Sequence, residues 1–408
     1  MRWRAFVPYL ALTTGLVVSA PAYWPVPYHL GDTFLLWSVG RMILGGVSPY
    51  EPSSWAAAAA RDPGEVVAGV AVNVIPNMVA LGGVTWPYPP WTGLLFAPFA
   101  ALPVEAGTLA LHLSYVAAGG LAALIATAGL PWRSTATRAV ALAGFGLFQP
   151  FVMGTRAGQF GTFLLLGVAL VTHGLTPGAR LATPALVVGA LLVAAKPHVA
   201  LLFVVVVLIA LVRRRRVRAL AVTSLALAVV AAASLARFPE SISAVAEGAS
   251  SRASVLGSLF ATTWTFARVL GVGDWRIVAP LLIGLTALAA AVAVRWSPPV
   301  LRWSIALSLS LPLSLAISPY VQSYDDVLLA PAAFVALAAT ERVRGGGRVA
   351  LALAVLVVAV AYPWLAIVLQ MIGGTQASSG LVPLLFAPLL AAGALAARRA
   401  PRAGRADP

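Results

Sequence analysis

Few side chains in this sequence can do acid–base or charge chemistry, and several of them stand beside long apolar runs. Asp32 falls in Gly31-Asp32-Thr33-Phe34-Leu35-Leu36-Trp37, ahead of the turn-like Gly45-Gly46-Val47-Ser48-Pro49-Tyr50. Arg156 belongs to Gly154-Thr155-Arg156-Ala157-Gly158-Gln159, a tight turn that carries a cation. Lys196, the only lysine in the chain, opens Lys196-Pro197-His198 and interrupts an apolar stretch. Ser318-Pro319-Tyr320-Val321-Gln322-Ser323-Tyr324-Asp325-Asp326 sets hydroxyls, an amide and two carboxylates against another. A carboxylate facing cations suits one reaction well. A general base takes a proton from an acceptor hydroxyl while a cation stabilises phosphate on the departing group. Arg matches phosphate in a bidentate fork. Each residue also has an ordinary structural reading. Asp32 is well suited to cap a helix N-terminus, and Lys196 could snorkel to a membrane interface. Capping and catalysis are compatible.

The elements that would position these residues must be membrane helices. Of 408 residues, 61% are hydrophobic and 10% charged, too little charge to cover a soluble protein of this size, so the apolar excess must face lipid. With no cysteine, a disulfide framework, a thiolate nucleophile and a zinc-finger spacing are all excluded. The net charge of +15 comes from arginines scattered through short loops, the ordinary place for them in a membrane protein. Nucleic acid is not the expected partner. No metal-ligand spacing occurs, and catalysis without a metal or other cofactor is expected.

Apolar runs predict helices near 5–22, 106–128, 138–154, 159–176, 181–195, 198–212, 218–236, 276–294, 302–318, 324–340, 348–369 and 381–397. The first resembles a signal peptide but reads better as a retained helix in a chain already committed to the membrane. The run 86–103 holds five prolines, which remove backbone donors and kink helices. It is expected to pack against protein or line a cavity rather than cross. Excluding it gives twelve spans (eleven to thirteen), with both ends and 19 of 27 basic residues cytoplasmic. Including it inverts every later loop and puts the clusters at 213–218 and 398–405 outside, against the positive-inside rule.

That orientation, fixed by basic residues alone, also puts ten of twelve acids outside. Longer outer loops explain much of this count, but less of Asp32, Asp325 and Asp326, which adjoin apolar runs. The chain is then one integral membrane domain, 1–408. It has a first outer loop at 23–105, a second at 237–275, and a basic cytoplasmic tail at 398–408. Residues 33–44 read as a short interfacial helix with Phe34 and Trp37 as aromatic anchors. Residues 251–270, with Arg252, Trp264 and Arg268, read as an outer helix that either covers the site or rests on the interface.

At these residues the sequence resembles glycosyltransferase family 87, polyprenyl-phosphate-sugar-dependent mannosyltransferases with a type C membrane fold. The matching features are Asp32 with its aromatic-rich helix and the Gly45–Tyr50 turn; Tyr88-Pro89-Pro90; Gly158-Gln159; Lys196-Pro197; and Ser318-Pro319. They follow the family's order, and the resemblance runs from about 5 to 340. It implies an all-α transmembrane bundle and transfer of a hexose, mannose by family habit, from a polyprenyl phosphate to a lipid or glycan acceptor. The transfer would invert the sugar, with Asp32 as base, in a bacterial plasma membrane and on the non-cytoplasmic side. Charge and sidedness make Arg156, Lys196 and His198 the candidate holders of the donor phosphate, the motif itself supporting Lys196. Candidate substrate-binding residues are Tyr50, Tyr88, Gln159, Tyr320, Gln322, Tyr324 and Asp325. In one departure, family members often carry a histidine soon after the Ser-Pro pair, where this chain has Tyr320, Gln322, Tyr324 and Asp325. The rival reading is a transporter or flippase for a lipid-linked or anionic substrate. Such proteins show paired broken helices in matching halves and ionisable residues near mid-membrane. Here no inverted repeat is evident, and the charges gather at one surface.

Overall fold

The Ala-, Leu- and Val-rich runs carry no strand-type alternation, and every regular element among the described residues is helical. The computed structural model describes residues 3–23, 32–61, 86–247, 261–271, 273–318, 320–343, 345–373 and 376–399. In chain order the helices are α1 Trp3–Tyr23, α2 Asp32–Leu44, α3 Pro52–Arg61, α4 Pro90–Leu94, α5 Ala97–Ala100, α6 Val104–Ala128 and α7 Thr135–Gly146. Then come α8 Gln149–Arg156, α9 Gly161–Leu175, α10 Ala182–Val193, α11 Leu201–Arg213, α12 Val217–Arg237 and α13 Thr263–Leu270. The last are α14 Trp275–Trp296, α15 Pro299–Ile317, α16 Ala330–Thr340, α17 Gly346–Leu356, α18 Tyr362–Gly373 and α19 Val382–Arg399.

Each of the twelve apolar runs folds as helix. Nine stretches among the described residues are long and apolar enough to cross a membrane; Gly161–Leu175, Ala182–Val193 and Pro197–Arg213 are shorter. A crossing needs ~20 residues, so the three short helices fall below the length expected of full spans. The proline-rich run behaves as its composition requires. It breaks into α4 and α5, of 5 and 4 residues, neither long enough to cross. Residues 251–260 of the expected outer helix, Arg252 among them, lie outside the described residues, as do Asp62, Glu65 and the tail from 400; α13 supplies its second part.

Burial varies strongly between these helices. In Ser323–Thr340, 94% of the residues are buried, against 11% in Val217–Arg237. The first stretch is therefore the centre of the bundle, while α12 and α14 turn Leu225, Val229, Ile277, Leu281 and Leu288 outward. An apolar exterior this extensive needs lipid around it. This is a membrane protein. Inside, small residues let helices meet closely, as membrane bundles prefer. Gly167 of α9 and Gly189 of α10 each face the other's carbonyl so closely that a Cβ would fall about 2.7–2.8 Å from it.

Polar residues gather at both ends of the bundle. The 25 residues of α6 run for about 37 Å at ~1.5 Å per residue. At its start Gly107 packs on Trp37 of α2 and Phe99 of α5. Beyond its far end Glu341 accepts from the backbone N–H groups of Arg133 and Ser134, and Arg342 donates to the Pro131 carbonyl at 3.0 Å. Arg214 and Arg216 donate to the carbonyls of Leu175 and Gly174. Gly129, Leu175, Arg214 and Pro299 line one cavity, so these arginine-bearing loops share an end. The candidate site occupies the other.

Candidate active site

Asp32 is the first residue of α2. Its backbone N–H donates to the Ala157 carbonyl at 2.9 Å, and its carboxylate oxygen Oδ2 accepts from Gln159 Nε2. Asp32 is exposed, whereas Gln159 is buried. The turn that makes both contacts depends on Gly158. Its φ is +77°, and a Cβ there would strike the backbone and hydroxyl of Thr33. Only glycine takes that conformation without strain and allows the approach. Arg156 ends α8 with an exposed side chain, one residue from the carbonyl that anchors Asp32. An exposed acid and an exposed guanidinium thus sit on neighbouring turns.

The second centre is Lys196. Its exposure is 2%, and Nζ stands 2.6 Å from both carboxylate oxygens of Asp325, also 2% exposed. The rings of Tyr88, Tyr320 and Tyr324 lie 5.9, 5.6 and 5.5 Å from the ammonium, within the range of cation–π attraction. A buried charge costs several kcal/mol unless matched and hydrogen-bonded, and here both conditions hold. Asp325 also accepts from the Gln322 N–H at 3.0 Å. Gln376 extends the network, donating to Gln322 Oε1 at 2.6 Å and accepting from the Ser323 N–H at 2.9 Å. Lys196 is therefore not the open cation that its isolation in the sequence suggested.

Nearby side chains fix the chain on either side of Lys196. Trp91 and Thr92 of α4 donate to the carbonyls of Ala194 and Ala195, each at 2.9 Å. His198 is half-buried, its ring 5.9 Å from that of Tyr320, and its Nε2 has no partner among the described residues. Tyr50 donates its hydroxyl to the Tyr88 carbonyl at 2.8 Å. Burial, and then the Glu240 charge, raise the Tyr50 phenol above its ordinary range, so it serves as a neutral donor. Glu240 accepts from Ser48, tying the Gly45–Tyr50 turn to the end of α12.

Aromatic edges join the two centres. Phe160, which follows Gln159, packs against Tyr88 at 5.1 Å and Phe96 at 5.6 Å. Tyr324 is within electrostatic range of both Asp32 and Asp325, and Gly154 of α8 packs on its Cβ. The candidate residues from five separate segments thus form one neighbourhood. Phe34 and Trp37 are corrected in role: both are buried, at 7% and 6%, and anchor α2 to protein instead of facing lipid. Trp91, Thr92, Phe160 and Gln376 were not singled out from sequence. An aromatic, a Thr or a Gln beside apolar runs carries no local signal of its partner.

A family model described as glycosyltransferase family 87 matches residues 86–319, more than half of the chain. The chain belongs to glycosyltransferase family 87. No curated protein and no solved structure matches it. Membership makes the chain a membrane glycosyltransferase, with a sugar donor and an acceptor, and sets the transporter reading aside. The family 87 match includes Tyr88, Arg156, Gln159, Lys196 and His198. Asp32, Tyr50, Tyr320, Gln322, Tyr324 and Asp325 lie beyond it, yet the Asp32–Gln159, Tyr50–Tyr88 and Lys196–Asp325 contacts fasten them to it.

Proposed function

We propose that this membrane glycosyltransferase moves a hexose, mannose by family resemblance, from a polyprenyl-phosphate donor to a hydroxyl of a lipid or glycan acceptor. The reading rests on one observation above all. Asp32 is exposed, its backbone N–H held by the Ala157 carbonyl and its carboxylate by Gln159, on the turn that follows the exposed Arg156. In the proposed step the acceptor oxygen attacks the anomeric carbon from the face opposite the phosphate. Asp32 receives the hydroxyl proton. The anomeric C–O bond to phosphate breaks, and its electron pair stays on the phosphate oxygen. Arg156 matches that growing charge. Attack opposite the departing bond inverts the sugar.

Lys196 takes a different part in this reading from the one its sequence context suggests. With Asp325 already on its ammonium, it organises Tyr88, Tyr320 and Tyr324 as a wall of the sugar site, while the donor phosphate goes to Arg156. His198, beside Tyr320, belongs to the same wall. The proposed topology has twelve crossings, the three short helices included, with both ends cytoplasmic. The arginine-rich end then faces the cytoplasm, as the positive-inside rule favours, and Asp32 faces the opposite side of the plasma membrane.

Donor class is tested in membranes containing the full chain, supplied with radiolabelled mannose as polyprenyl-phosphate-mannose or as a nucleotide sugar. The expected result is label transfer from the lipid-linked donor, and none from the nucleotide sugar once endogenous polyprenyl phosphate is removed. Transfer from the nucleotide sugar under that condition would contradict the reading.

A further inference from the structure

At the arginine-rich end, away from Asp32, a cavity of about 250 Å³ opens between the ends of α6, α9 and α11 and the start of α15. Its floor is apolar: Val168, Phe203, Leu311 and Phe334 line it and are buried. Its mouth is polar, with His173 and Thr176 exposed and Arg214 and Ser304 half-buried. The volume is below the ~300–1,000 Å³ of sites that enclose a whole drug-sized ligand. It therefore suits a slender apolar group entering from the mouth.

Charge at the mouth is of one sign. Arg214 donates through Nη1 to the Leu175 carbonyl, and its guanidinium lies 5.2 Å over the Trp303 ring. These contacts hold the cation in place without neutralising it. No Asp or Glu lines the cavity among the described residues. Arg213, Arg215, Arg216 and Arg218 flank Arg214 in sequence, and none has a carboxylate partner among the described residues. Burial, and then the Arg216 charge, both push the Arg214 guanidinium below its ordinary value. A guanidinium carries five N–H donors, so one bond to a carbonyl leaves capacity for an anion. Basic pockets between membrane helices are suited to lipid phosphates in this way.

We propose that this cavity binds one anionic phospholipid, with an acyl chain over the Phe203 and Phe334 floor and the phosphate at Arg214, His173 and Ser304. The arginine cluster selects net negative charge, and the apolar floor selects a chain. Free phosphate would leave the floor empty, and a zwitterionic lipid would leave the surplus arginines unmatched. Such a lipid would bridge α9, α11 and α15 at the end of the bundle opposite Asp32.

Native mass spectrometry of the full chain in detergent, titrated with phosphatidylglycerol, phosphatidylethanolamine or inorganic phosphate, tests this directly. One phosphatidylglycerol should be retained at a concentration at least tenfold below that needed for phosphatidylethanolamine, and millimolar phosphate should not displace it. Arg214→Gln should weaken retention at least tenfold. Ser304→Trp, which fills the mouth but leaves the Arg214–Leu175 bond in place, should do the same with an unchanged melting temperature. Equal retention of the two lipids, displacement by phosphate, or wild-type retention in both variants would each overturn the proposal. The lipid comparison on the unaltered chain decides the matter even if a variant folds poorly.

Discussion

The Lys196–Asp325 pair sets the clearest residue-scale expectation. Asp325→Asn leaves a 2%-exposed ammonium without the carboxylate it pairs with, and breaking a buried pair from one side costs about 3–5 kcal/mol. The melting temperature in detergent should fall by many degrees. Replacing both partners, Lys196→Met with Asp325→Leu, should recover most of that loss, because well-packed apolar groups often substitute for a buried pair. If the pair only supports the fold, the double variant regains activity. If it arranges the tyrosine wall, as proposed, transfer stays at least tenfold down. Lys196 and Asp325 were each legible in the sequence as costly charges beside apolar runs. Their pairing was not, because 129 positions separate them and nothing local to either names the other. The same holds for Asp32 and Gln159, 127 apart.

Among the elements, the turn between α8 and α9 does the positioning, and Gly158 is its pivot. Gly158→Ala combines a disfavoured positive φ with a Cβ inside contact distance of Thr33. Strain of this kind costs about 1–3 kcal/mol, and relief requires α2 to back away from the turn. Transfer should fall at least tenfold while the chain still reaches the membrane; wild-type turnover would show that the Asp32–Gln159 contact is not needed. Element existence was well marked in the sequence, since long apolar runs make helices with few rivals. Proline likewise announced the break between α4 and α5. Helix length and facing were less legible. The 181–195 run already reads short of the ~20 residues of a full span, but nothing in the longer 159–176 run announces that α9 holds only 15 residues. Phe34 and Trp37 read as interface anchors because aromatic residues near a membrane surface have two outlets, lipid or protein core, and sequence does not separate them.

Across the whole molecule, the bundle separates an arginine-rich end from an end built around Asp32 and Lys196, and the proposed orientation puts the second outside. Glu51→Cys and Arg215→Cys, both at exposed positions in a chain with no native cysteine, should label with an impermeant thiol reagent from opposite sides of the membrane. Labelling from one side would reject the topology. Membership in family 87 was legible from short motifs in order, each weak alone. Acceptor identity was not, because the Tyr320–Asp325 segment departs from the family pattern at the place a histidine is common. The central claim is that Asp32 accepts the acceptor's proton. General-base catalysis contributes about 10²–10⁴ in rate, so the most direct measurement is the single-turnover rate of mannose transfer from polyprenyl-phosphate-mannose by Asp32→Asn in membranes. The account predicts a fall of at least about a hundredfold with expression and melting temperature intact, and a rate within a few-fold of wild type would contradict it.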